Sequence, residues 1–193
     1  MERSSISLPE GYEQALRLDL QKDMKIALPV NGLALIIMVV MLAFGHWFVP
    51  LSTMVPTGPS PVPFMVRMVV LAAGIFVYLI LHELVHGIAM KFFGAPKVKY
   101  GFTGLYAFAG SETYFAKIPY IIIALAPIVV WGVVLLIINL LVPAAWFWPV
   151  YFIQVANISG AAGDLYVTCR FSRLPKDILV QDTGVAMTVY SRK

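Results

Sequence analysis

The chain has 193 residues, of which 60% are hydrophobic and only 12% charged, with a mean hydropathy of +0.84; this excludes an ordinary soluble domain and indicates a polytopic membrane protein. A single cysteine, Cys169, excludes an internal disulfide framework and a Cys-based metal site. The net charge of +4 comes from Lys and Arg beside apolar segments, with no basic patch interleaved with aromatics, so it reads as a topology signal and not as a nucleic-acid footprint.

In chain order, residues 1–26 are polar and mixed in charge. Tyr12, Ala15, Leu16 and Leu20 form a partial helical stripe, which predicts a short interfacial helix. Residues 27–49 form a first span, interrupted by Asn31 and His46; the latter, near its outer end, reads as an interfacial histidine. The loop from Pro50 to Pro63 carries five prolines and no charge, as expected of a stiff extracytoplasmic connection. A second span covers 64–93 and ends at Gly94 and Pro96. Residues 97–117 alternate aromatics with small residues and glycines, predicting a short hairpin: an aromatic-belted interfacial loop, or a strand edge that pairs with an extended substrate. A third span covers 118–142, kinked by Pro127 and ended by Pro143, with Asn139 as an interhelical hydrogen-bond partner. A fourth covers 145–169 and carries Gln154, Asn157 and Asp164. In residues 170–193, Asp182-Thr183-Gly184 predicts a turn between two short strands.

Lysines and arginines mark one side as cytoplasmic. Lys91, near the end of the second span, and Lys97, Lys99 and Lys117, between the second and third, mark one side; Arg3, Arg17, Lys22 and Lys25 precede the first; Arg170, Arg173, Lys176, Arg192 and Lys193 follow the fourth. Both outer loops lack them. The expected architecture is therefore an all-α polytopic membrane protein with about four transmembrane helices, both termini cytoplasmic, a β-hairpin-like loop between helices two and three, and a small cytoplasmic tail. Its parts are an N-terminal segment 1–26, a membrane-embedded domain 27–169 and a tail 170–193.

The chemistry concentrates at His82-Glu83-Leu84-Val85-His86-Gly87 in the second span. Residues four apart on a helix stack on one face, so both imidazoles can reach one ion while Glu83 flanks them. H-E-x-x-H supplies two zinc ligands and a general base for activating water. Glu83 is also one of only two acidic residues within the long apolar segments, where an ionisable group is costly unless functional or paired. The other is Asp164. His86 lies about 12 Å before Gly94 and Asp164 about 9 Å before Arg170 along helices running the same way, so the carboxylate stands at a matching depth and completes a three-ligand set. On a continuous helix Asn157 and Asp164, two turns apart, share a face. Glu112 is the alternative third ligand, and Asp177 and Asp182 are weaker ones.

The motif His82 to Gly87, followed by Asn157-Ile-Ser-Gly160-Ala-Ala-Gly-Asp164, resembles the site-2 protease family of intramembrane zinc metalloproteases and, more closely, small bacterial zincin-peptidase membrane proteins. Ala126-Pro127 resembles a family Gly-Pro. The resemblance implies one zinc ion held by His82, His86 and Asp164, Glu83 as catalytic base, and Asn157 orienting substrate or the developing oxyanion. It implies a cell-membrane endopeptidase cutting membrane-protein segments near the cytoplasmic leaflet, with the lipid bilayer as its medium. The other reading of the same motif is a zinc sensor or carrier in which Glu83 performs no hydrolysis.

Overall fold

The long apolar runs become helices, as expected of segments whose backbone groups must be satisfied internally in an apolar medium. The computed structural model describes residues 3–19, 23–104 and 106–192; Leu20, Lys22 and Lys193 lie outside them. Its helices are α1 (Met24–Phe48), α2 (Val62–Phe92), α3 (Lys117–Leu141), α4 (Ala144–Gly160) and α5 (Ala162–Ser172). Among the described residues, α1, α2 and α3 are long and apolar enough to cross a membrane. Their faces carry exposed large apolar side chains such as Leu35, Val69 and Val133.

Two expectations are corrected. The fourth segment is not one continuous helix: it breaks at Ala161, which leaves helical geometry with φ −84° and ψ 18°. The preceding Gly160 weakens the helix by about 1 kcal/mol relative to Ala, and a two-turn argument placing Asn157 and Asp164 on one face no longer applies. Nor is the chain all-α. Strands β1 (Ser4–Ser5), β2 (Tyr12–Leu18), β5 (Tyr114–Ala116), β6 (Leu179–Asp182) and β7 (Met187–Arg192) form one antiparallel sheet in the order β1-β5-β6-β7-β2. The hairpin expected within 97–117 is present as β3 (Lys99–Phe102) and β4 (Ala107–Gly110), and the turn expected at Asp182-Thr183-Gly184 joins β6 to β7.

Tyr12–Leu18 is thus a strand where a helical stripe was expected. A bulge at Ala15, between the pairs Gln14↔Tyr190 and Leu16↔Val189, resets its register. Leu16 and Leu18 then both meet the core, and Leu18 is 1% exposed.

By its contacts the chain divides into two compact units, each assembled from separated segments. One comprises residues 1–30, 81–127 and 163–193. Its core joins Leu18, Phe115, Val180 and Val189 of the sheet to Met90 of α2, Tyr120 and Ile123 of α3, and Val167 and Phe171 of α5; each such side chain contributes about 1.5–3 kcal/mol by burial. The buried Lys117 donates from Nζ to the carbonyls of Ser172 (2.8 Å) and Leu174 (2.5 Å), closing the C-terminus of α5.

The other unit comprises residues 31–80 and 128–162. Trp148, Tyr151 and Val155 of α4 form its core with Met41 and Leu42 of α1 packed against them. The Tyr151 hydroxyl donates to Met41 O (2.8 Å), and Trp148 Nε1 to Val49 O and Pro50 O (3.2 Å each). His46 has a local role, its Nδ1 accepting the Leu51 N–H at 3.1 Å. The interhelical bonding expected of Asn139 is not seen at its side-chain oxygen, which is buried without a partner. Gln154 and Asn157 perform that function instead, their amides donating to Gly132 O (3.2 Å) and Ile128 O (3.3 Å) of α3.

Candidate metal centre

The site lies within the unit that contains the five-stranded sheet. His82 and His86, one turn apart on α2, bring their rings to a centroid separation of 4.9 Å. Asp164 enters from the first turn of α5, where the positive end of the helix favours a carboxylate. Its Oδ2 lies 3.6 Å from His82 Nε2 and 3.7 Å from His86 Nε2. These separations are too long for hydrogen bonds and close to the ligand–ligand edge of about 3.3–3.6 Å that a tetrahedron with metal–ligand bonds of about 2.0–2.2 Å requires. One donor atom from each of the three residues lies within 4.8 Å of the others. Two imidazoles and a carboxylate are also the donor chemistry of an open zinc site. The residues present fit the ion.

The orientation of His86 has a backbone cause. Its Nδ1 is 3.0 Å from the carbonyl of Ile123, and a carbonyl only accepts, so the ring proton sits on Nδ1 and the Nε2 lone pair faces Asp164. Ile123 is 1% exposed, and its carbonyl would ordinarily receive the helical N–H four residues on. That residue is Pro127, which has none. The proline expected to kink α3 thereby leaves an acceptor for the His86 ring.

Glu83 lies within reach of the backbone amide of Ala109 in β4. The hairpin also lies close to α2 at Tyr100 of β3, whose hydroxyl occupies the space that a Cβ at Gly87 would fill, so a larger residue there must displace this ring.

Asp182, at the end of β6, has both oxygens engaged, Oδ2 by the Tyr120 hydroxyl (2.6 Å) and Oδ1 by the Gly184 N–H (2.8 Å). It lies within electrostatic reach of Glu83, His86 and Asp164. Burial raises its carboxyl above the ordinary range. The pairing of Tyr120 with Asp182 is not a local property, because the two are 62 residues apart; the one signal available was a carboxylate beside a Thr-Gly turn.

The other residues singled out lie elsewhere. Glu112 is exposed and ion-paired with Lys99, whose ammonium holds its carboxyl below the usual range. Its oxygens are not among the grouped donor atoms. Asp177 offers its backbone carbonyl to the Tyr12 hydroxyl at 2.8 Å. Asn157 belongs to the second unit and is fully buried; its Oδ1 accepts from the Tyr78 hydroxyl at 3.1 Å and its Nδ2 donates to Ile128 O.

Residues 75–179 match the model of a family described as "Putative zincin peptidase". No curated protein and no solved structure matches the chain significantly. The matched segment contains the histidine pair, the hairpin, α3, and Asp164.

Proposed function

Since the chain belongs to the "Putative zincin peptidase" family, we propose that it is a zinc-dependent endopeptidase of the membrane, cutting membrane-protein segments near the cytoplasmic leaflet, with His82, His86 and Asp164 as metal ligands and Glu83 as general base. The single observation that carries this reading is the approach of Asp164 Oδ2 to within 3.6 and 3.7 Å of the two Nε2 atoms. Zinc bound there supplies a Lewis acid for the scissile carbonyl and an acidified water.

The rest of the chemistry belongs to the chain. Glu83 takes a proton from the attacking water on a carboxylate oxygen and passes it to the leaving amine nitrogen. The Ala109 amide stands near that carboxylate from outside α2, and the Ile123 carbonyl keeps His86 in the ligating tautomer. Among the described residues β3 pairs only with β4; its other edge suits an extended substrate, whose backbone bonds would otherwise be locked in a helix.

The test is zinc content and cleavage on purified protein in lipid nanodiscs. One zinc per chain is expected, lost in His86→Ala and Asp164→Ala. Glu83→Gln retains zinc and loses cleavage of a library of single-span membrane peptides. Zinc binding that survives both ligand substitutions would falsify the assignment; cleavage that survives Glu83→Gln would leave a zinc protein whose base lies elsewhere.

A further inference from the structure

A cavity in the sheet-containing unit, of about 390 Å³, has Arg3, Lys117 and Lys176 in its lining together with Phe92, Ile118 and Ile122. No described carboxylate pairs with any of the three cations. Lys117 is 8% exposed and, having spent two ammonium protons on the Ser172 and Leu174 carbonyls, retains a third. A buried cation without a counter-ion is costly unless an anion is supplied from outside. The backbone of Arg3 is joined to the sheet, its carbonyl accepting the Ala116 N–H at 3.1 Å, so its exposed side chain starts from the rim of the cavity. α3 starts at Lys117, adding the positive end of a 25-residue helix.

The apolar part of the lining continues onto open surface: Phe92 is 72% exposed, Ile118 61% and Ile122 48%. Phe92 is the last residue of α2 and Ile118 the second of α3, so the cavity lies where two apolar helices meet the polar sheet. A soluble phosphate or nucleotide would satisfy the charges and leave these side chains uncovered. A phospholipid satisfies both.

We propose that this cavity binds the headgroup of one anionic phospholipid, its phosphate taken by Arg3, Lys117 and Lys176 and an acyl chain laid over Phe92, Ile118 and Ile122. The inference rests on α2 and α3 crossing a bilayer and is independent of the zinc chemistry. A bound anionic lipid ties β1, the start of α3 and the segment after α5 to the membrane surface, and thereby anchors the sheet.

The test is native mass spectrometry and thermal unfolding of the full chain in nanodiscs of phosphatidylcholine alone or with phosphatidylglycerol. Wild-type protein is expected to retain one phosphatidylglycerol and to unfold at a higher temperature in the mixed discs. The Arg3→Gln/Lys176→Gln double variant, which leaves Lys117 and its carbonyl contacts intact, should retain the lipid at least about tenfold less well, as two surface cations worth about 1 kcal/mol each predict. Equal retention by wild type and variant overturns the proposal, as does lipid loss in the presence of millimolar inorganic phosphate without competition by phosphatidylglycerol vesicles, which would identify a free-anion site. A variant that unfolds in phosphatidylcholine discs as wild type does shows that the difference comes from the lipid.

Discussion

Pro127 stands four residues after Ile123, and the carbonyl that its missing N–H leaves unpaired receives the Nδ1 proton of His86 at 3.0 Å. The helix irregularity and the orientation of a candidate metal ligand are therefore one feature. Replacing Pro127 by Ala returns a competing backbone donor to Ile123, and the histidine loses its exclusive hold. Zinc affinity of Pro127→Ala, read by chelator competition, is expected to fall about 10–100-fold, while the metal-free protein unfolds at the same or a higher temperature because the helix has regained a bond. A fall in both would identify a structural proline only.

Tyr120→Phe removes one of the two donors to Asp182. The carboxylate stays partly buried beside Glu83 and Asp164 with the Gly184 N–H alone, so the chain should lose about 1–3 kcal/mol. Thermal unfolding measures it; Asp182→Asn/Tyr120→Phe should lose less than the sum of the single changes.

Asp182 also gives a pH dependence of known sign. Its folded pKa is raised above the ordinary 3.8 by burial. Below 3.8 the folded and unfolded chains both hold the proton and the residue imposes no ionisation cost; as pH rises through the folded pKa, stability is lost. Asp182→Asn should remove this component, so the difference in unfolding temperature between variant and wild type grows in favour of the variant from pH 3.8 upward. A constant difference across that range would refute the assignment.

Gly87→Ala sets a methyl group 1.9 Å from the Tyr100 hydroxyl. Overpacking of this kind costs about 1–3 kcal/mol, and Gly87→Ala/Tyr100→Ala should recover most of the stability lost by Gly87→Ala alone. Both are read from thermal unfolding.

Asn157→Leu leaves the Tyr78 hydroxyl without its amide acceptor at a fully buried position, and a loss of about 1–3 kcal/mol is expected. Asn157→Asp keeps an acceptor for Tyr78 and removes the amide donor to Ile128 O, so comparing its unfolding temperature with that of Asn157→Leu separates the two hydrogen bonds.

The helices were legible because apolar runs of that length have few alternatives in any solvent. His82 and His86 were legible because a spacing of four is a local property of a helix. Asp164 followed from counting depth. The sheet was not legible: its strands are two to seven residues long, and what makes them strands is pairing across the chain, as in Ser4↔Phe115 and Tyr12↔Arg192. In Tyr12–Leu18 the bulge at Ala15 hides the alternation a strand should display, and the spacing of Tyr12 and Leu16 imitates a helix. The Ala109 amide, the Tyr120–Asp182 pair and the acceptor freed by Pro127 arise only where separate elements meet.

The pairing of Leu18 with Met187 has a consequence for biosynthesis. When Leu18 leaves the ribosome its partner has not been made, and 169 further residues must be polymerised before β2 acquires a neighbour. Throughout that interval the strand is an open edge. The sheet gains β2 as its edge strand only after both histidines and Asp164 have been translated, and a chain interrupted ahead of Met187 leaves β2 without its partner strand.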